Sequence, residues 1–188
     1  MRSKISITIA LSAIVLTMSM SCNGITTKGG IQDTIAIMKN HRLKLSLNHM
    51  ARCTPDNDTA RTDTAATPFR LVVYVDSTNC SPCVLNKMYK WNPFIDNTRA
   101  KGNRVGYVFI FEPKAEQIED AHFAVESSGL KNRVYLDTAH VFRKENMFMP
   151  KDSKYHTLLI DNRDSILLVG NPKSNNKIEE FFLKIINK

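Results

Sequence analysis

The chain has 188 residues, and its 26 lysines and arginines outnumber 18 acids, leaving a formal charge of +8. The basic residues are scattered and form no aromatic-interleaved patch, which sets aside nucleic acid as a partner. No repeat or low-complexity tract is present, and the length suits one domain with a real core.

Residues 1–21 read as an export signal. Arg2 and Lys4 supply a positive start, and residues 5–18 form an apolar stretch too short for a comfortable membrane span. The stretch ends in Ser19-Met20-Ser21-Cys22, which resembles the lipobox of bacterial lipoproteins, with Ser19 where leucine is usual. That resemblance implies lipidation at Cys22 and a firm hold on a membrane surface. A plain cleaved signal or an uncleaved anchor is the alternative. Removing residues 1–21 takes away two cations and no acid, lowering the charge from +8 to +6.

Residues 23–30 are small, polar and glycine-containing, as a tether would be. Between 31 and 50, Ile31, Ile35 and Met38 fit a turn of helix, whereas the alternation of Leu43, Leu45 and Leu47 suggests a short edge strand. Residues 54–68 are rich in Thr, Asp and Ala, carry two prolines, and read as a loop.

Leu71-Val72-Val73-Tyr74-Val75 is a continuous apolar run, as expected of a central strand buried on both faces. It leads into Cys80-Ser81-Pro82-Cys83, with Pro82 suited to a first helical turn. Two thiols so spaced can close a disulfide with little chain entropy. At a helix start, free backbone N–H groups would favour the thiolate of the first. The pair also fits half of a zinc site, but no second Cys-x-x-Cys completes one. Val84, Met88, Trp91 and Ile95 recur at helical spacing as a core-facing stripe, with Pro93 kinking or restarting the helix.

Residues 105–111 form a second buried run, and a helical stretch covers 114–127. Strand, helix and strand at these lengths imply a right-handed parallel crossover. Thr157-Leu158-Leu159-Ile160 and Ile166-Leu167-Leu168-Val169 flank Asp161-Asn162-Arg163-Asp164 as a hairpin. Ile178, Phe181, Phe182, Ile185 and Ile186 then make one apolar face of a C-terminal helix.

On the strand, the Cys80–Cys83 motif, the helix and the late hairpin, residues 67–188 resemble the thioredoxin superfamily, in particular the anchored TlpA- and ResA-like thiol–disulfide oxidoreductases. Tyr135-Leu136-Asp137, His156-Thr157-Leu158-Leu159-Ile160-Asp161 and Gly170-Asn171-Pro172 are also similar to a group of Bacteroidales thioredoxin-like lipoproteins. The resemblance implies an α/β, thioredoxin-like fold with a central mixed sheet in the order β-α-β-α-β-β-α, flanked by helices. The chain then divides into a signal peptide at 1–21, a tether and N-terminal extension at 22–66, and the thioredoxin-like domain at 67–188.

By the same resemblance, Cys80 is the exposed nucleophile and Cys83 the more buried resolving thiol, exchanging through a mixed disulfide. Two positions depart from the superfamily. His156 stands where a cis-proline precedes the hairpin strand, with Pro150 six residues earlier. Tyr74 and Asn86 stand at the two places of the buried acid that assists proton transfer. Asp76, Glu112 and His156 are the candidates for that role. Asp76 fits a strand-end or cap residue better than a base, Glu112 beside Pro113 fits a solvated position, and His156 is the preferred auxiliary group. His122 and His140 fit surface or satisfied histidines, Trp91 fits packing, and Cys53 is left over, with burial its preferred reading.

The expected function is an envelope-anchored thiol–disulfide oxidoreductase, held by lipid at a membrane surface facing the periplasm and needing no cofactor. Its partners would be the thiols or disulfides of exported proteins and a separate redox partner. A copper-binding or delivery protein using Cys80, Cys83 and His156 is the alternative from another class. A non-catalytic binding module of the same fold is a third, and a peroxidase fits less well, with Ser77 where that family has threonine.

Overall fold

The computed structural model describes residues 27–53, 67–102 and 104–188. The signal pattern, Cys22, the first part of the tether and most of the loop expected at 54–68 lie outside the described residues. The elements run α1 (Thr27–Lys39), β1 (Ala51–Cys53), β2 (Phe69–Val75), α2 (Pro82–Leu85), α3 (Asn92–Ala100), β3 (Val105–Phe111), α4 (Ile118–Glu126), β4 (Val134–Leu136), α5 (Val141–Glu145), β5 (Thr157–Asp161), β6 (Ile166–Val169) and α6 (Asn176–Ile186).

The two apolar runs become adjacent parallel strands, with Leu71 opposite Tyr107 and Val75 opposite Phe111. The alternation of side chains along a strand sends these runs into two cores, one on each face of the sheet. Leu71, Val73, Tyr107, Phe109 and Phe111 face one core, together with Leu85, Trp91, Ile95, Val125 and Phe182 from the helical side. Val72, Tyr74, Val108 and Ile110 face the other, with Met38, Leu43, Phe142 and Tyr155. Burying a large apolar side chain contributes about 2–3 kcal/mol, so two-sided burial makes β2 and β3 the stable centre.

β4 adds to β3 in parallel, and β5 and β6 add to β2 as an antiparallel hairpin. The six-stranded order is β1-β4-β3-β2-β5-β6. A parallel centre, an antiparallel hairpin on one side and helices on both faces make a thioredoxin-like fold. The sheet is wider than the sequence pattern implies, because β1 and β4 are three-residue strands without their own periodic signal.

Residues 27–53 fall in the stretch read as tether and extension, yet they contribute a helix, a strand and buried side chains to this fold. Met38 and Leu43 are fully buried in the second core. The fully buried amide of Asn146 accepts from the Lys44 N–H and donates to the Lys44 carbonyl, serving as a substitute strand partner. Arg42 bridges Ser165 beside the hairpin, and β1 pairs antiparallel with β4 at the opposite edge. The segment therefore straps one face from edge to edge. The expected edge strand over Leu43, Leu45 and Leu47 does not form. The Asn146 clamp at Lys44 and a 3-10 turn at Leu47–His49 take its place, and the strand is at Ala51–Cys53.

The helix after the cysteines is broken into α2, a 3-10 turn at Met88–Trp91 and α3. Pro93 restarts it at the first turn of α3, where its missing N–H costs nothing. The break rotates the inward face: Leu85 is fully buried, whereas Val84, assigned to the stripe by spacing, is exposed. On α6, Phe182 and Ile186 are buried and Phe181 is exposed, so the buried stripe is narrower than the apolar one. Among the described residues no helix is long and apolar enough to cross a membrane.

Candidate functional site

The site begins where β2 ends. The Asp76 carbonyl accepts from the N–H groups of Asn79 at 3.0 Å and Cys80 at 2.7 Å. Asp76 Oδ1 accepts from the Thr78 and Asn79 N–H groups, each at 3.1 Å, from Thr78 Oγ1 at 2.7 Å and from Asn79 Nδ2 at 2.9 Å. One aspartate thus ties the turn that carries the chain from β2 to the cysteines, as Asx turns do. Ser81 stays extended, and Pro82 opens α2.

Cys80 and Cys83 are both free thiols, and their exposure reverses what the superfamily resemblance implies. Cys80 is 3% exposed and belongs to the core that holds Val73, Leu85, Met88 and Phe109, whereas Cys83 is exposed. The cause is local. Cys80 precedes the first helical residue, and its N–H bond to Asp76 turns it beneath α2. Cys83 lies within α2 next to exposed Val84, while Leu85 takes the inward place. Nor is the Cys80 thiolate favoured. Burial, then the charges of Glu112 and Asp76, push its thiol up to about 12.

His156 lies immediately before β5 and is 2% exposed. Its carbonyl accepts from the Tyr74 N–H, which extends the β2–β5 pairing by one residue. Its Nε2 lies 2.9 Å from the Pro150 carbonyl, so Nε2 carries the donated proton. Pro150 is brought to the site by its carbonyl, with the loop folding back, and it does not replace a proline at position 156. The His156 Nδ1 is 3.6 Å from Asp76 Oδ2 and has no hydrogen-bond partner among the described residues. Burial acts to raise the Asp76 pKa. The hydrogen bonds from Thr78 and Asn79 and the facing imidazole outweigh it and hold the carboxyl below its usual value.

Glu112 is buried, contrary to the solvated position expected beside Pro113. Its N–H continues the β2–β3 ladder to the Val75 carbonyl, which sets it across from Asp76. Tyr74 donates its hydroxyl to Glu112 Oε2, and His140 Nδ1 lies 2.8 Å from Oε1. Burial and this carboxylate push the Tyr74 phenol well above its usual range. A buried acid thus lies beside position 74, contributed from the end of the neighbouring strand. A buried acid at that register could have been sought from the pairing of the two apolar runs.

Two clefts meet at Asp76 and Tyr74. One, of about 300 Å³, is lined by Asn79, Val84, Met88, Trp91, His156 and Asn171 among others, and opens beside the cysteine turn. The second, of about 390 Å³, is lined by Ser77, Thr78, Glu112, Arg143 and Lys151 among others. Trp91 packs edge-on against Phe94 and Phe109 while also walling the first cleft. Among the described residues no group of three or more His, Cys, Asp or Glu is placed to hold a metal ion. Cys80, Cys83 and His156 therefore form no ready ligand set.

Cys53 is buried on β1, 3.0 Å from His122 Nδ1. Burial and the Glu126 charge push its thiol up to about 11. In the cross-sheet register Cys53 faces Val134, which faces Phe109, which faces Val73. Three strand spacings, roughly 14 Å, thus separate Cys53 from β2, too far for a disulfide across the sheet.

No described protein family matches the chain, and no curated protein matches it in sequence. Among solved structures, a thioredoxin-like protein from Bacteroides caccae is similar at 11% identity and a TM-score of 0.48, over 84% of this chain and 54% of that one. A candidate thiol:disulfide interchange protein DsbE from Chlorobium tepidum is similar at 18% identity and a TM-score of 0.43, over 66% of this chain and 82% of that one. An uncharacterized thioredoxin-like protein from Porphyromonas gingivalis is similar at 13% identity and a TM-score of 0.43, over 68% and 76%. The chain spans 54–57% of the length of three of the matched proteins. The assignment of the fold rests on the strand order and connectivity above rather than on these similarities.

Proposed function

We propose that the protein is a thiol–disulfide oxidoreductase of the cell envelope, of the TlpA/ResA-like type, working through Cys80 and Cys83. One observation carries the reading: two free thiols with two residues between them lie where the central strand of a thioredoxin-like sheet turns into a helix. The adjacent cleft gives a substrate chain a place to lie, the charges of Glu112 and Asp76 act on the buried thiol, and His156 lies 3.6 Å from Asp76. The exchange requires only sulfur nucleophiles and a dithiol donor. Its substrates are disulfides of exported proteins, and an external redox partner restores the reduced pair.

Anchoring through Cys22 is part of the proposal and is supported by the sequence pattern of residues 1–22 alone. Fatty-acid labelling of the full chain in a bacterial host, lost in Cys22→Ala, tests it. The activity is tested by reduction of insulin with dithiothreitol as donor. Wild type should accelerate turbidity, and the Cys80→Ser/Cys83→Ser double variant should fall to the uncatalysed rate. Undiminished turnover by the double variant would refute the assignment of the chemistry to this pair.

A further inference from the structure

A thiol that opens a disulfide in another protein must reach that disulfide in line with its S–S bond, so access comes before reactivity. Cys80 lacks access. It is 3% exposed, packed in the core that holds Leu85 and Met88, and tied by its N–H to the Asp76 carbonyl at 2.7 Å. To attack first, its sulfur would have to leave that core. Cys83 is already on the outer face of α2, beside exposed Val84.

We propose that the order of the two thiols is reversed, with Cys83 making the first attack on the substrate disulfide and Cys80 resolving the mixed disulfide from beneath. The proposal rests on the exchange function above and assigns its two sulfur roles. In the first step the Cys83 thiolate bonds to one substrate sulfur, and the other leaves as a thiolate that is protonated by water. In the second, Cys80 bonds to the Cys83 sulfur, and its proton passes to the departing substrate thiolate. The substrate gains two electrons and two protons, the pair becomes a disulfide, and a dithiol donor reduces it again.

The environment of Cys80 suits a resolving thiol. A rise from 9.0 to about 12 lowers its thiolate fraction near neutrality about a thousandfold. The greater nucleophilicity of a more basic thiolate restores about 20-fold to 30-fold of that, leaving Cys80 roughly 40-fold slower than an ordinary thiol even without its burial. A neighbouring mixed disulfide on Cys83 offsets such a deficit, because the attack is then intramolecular.

The test uses the full chain, oxidised insulin and mass spectrometry. Cys80→Ser should accumulate a mixed disulfide between Cys83 and an insulin chain, whereas Cys83→Ser should form its adduct at least tenfold more slowly. Since a serine hydroxyl in the Cys80 pocket costs packing, limited alkylation of reduced wild type gives the order independently. Iodoacetamide should label Cys83 at least 30-fold faster than Cys80, as read from the digested peptides. Insulin turnover by wild type with the trapping pattern reversed, or with Cys80 labelled first, would overturn the proposal alone. Absence of insulin turnover by wild type would overturn the exchange function and the assignment with it.

Discussion

Replacing Asp76 by alanine removes the acceptor on which four donors converge, and the cost can be worked from those contacts. The bonds from Thr78 Oγ1 and Asn79 Nδ2 come from exposed side chains that water can serve, so they add little. The Thr78 N–H at 3.1 Å loses its acceptor, whereas the Asn79 N–H keeps the Asp76 carbonyl at 3.0 Å, and each net hydrogen bond contributes about 1 kcal/mol. A loss of about 1 kcal/mol follows, within the range that removing a helix cap costs. With a urea slope near 2 kcal/mol/M, the unfolding midpoint should fall by about 0.5 M. Asp76→Asn keeps the acceptor oxygen and should lose less than half as much. The effect also has a sign in pH. The folded carboxyl is held below its unfolded value, so its stabilisation is complete above about pH 4 and fades as pH falls through the lower folded value. Wild type and Asp76→Ala should therefore differ by a constant amount from neutrality to about pH 4 and converge below it. An alanine variant with an unchanged urea midpoint at pH 7 would refute the view that Asp76 builds the turn.

Phe109→Ala empties a fully buried site at the centre of β3, against the edge of Trp91, and should cost about 4 kcal/mol by chemical denaturation. Gly170 has φ +118°, and a Cβ there would lie 2.5 Å from Ile178 Cδ1 at the start of α6. Gly170→Ala should cost about 2 kcal/mol from backbone strain, read as a lowered melting temperature, even after Ile178 turns aside. In Cys83→Ser, alkylation of Cys80 should rise about tenfold per pH unit through neutrality, with no plateau before about pH 12, since burial and the carboxylates of Glu112 and Asp76 favour the thiol.

What was legible in the sequence follows the range of the interactions responsible. β2, β3 and β5 announce themselves because each buries consecutive residues, and that demand is written into a contiguous run. β4 and β1 do not, since three residues bordered by loops carry no period. They are strands because a neighbouring edge offers hydrogen bonds. Leu43 was recognisable as apolar, but its neighbour Lys44 is clamped by Asn146, about a hundred residues away, so the local alternation misled. The cysteine motif and its strand-to-helix setting were visible, whereas which thiol is covered was not. That depends on one hydrogen bond to Asp76 and on where the first helical residue falls, and a shift of one position turns a side chain about 100° around the axis. Glu112 looked solvated beside Pro113, because only the register of β3 on β2 brings it to Tyr74.

The strap over the second core has a consequence for the order of folding. β1 pairs with β4 across about 80 intervening residues, and closing a loop of that length in an open chain costs about 4 kcal/mol. The pairing returns only three residues of ladder, so it cannot form early on its own. It becomes favourable once β2, β3 and β4 have assembled and hold the receiving edge in place. Contacts of such long sequence separation slow folding and gather at its end. The strap, made before the strands it joins, is thus the piece that finds its place last.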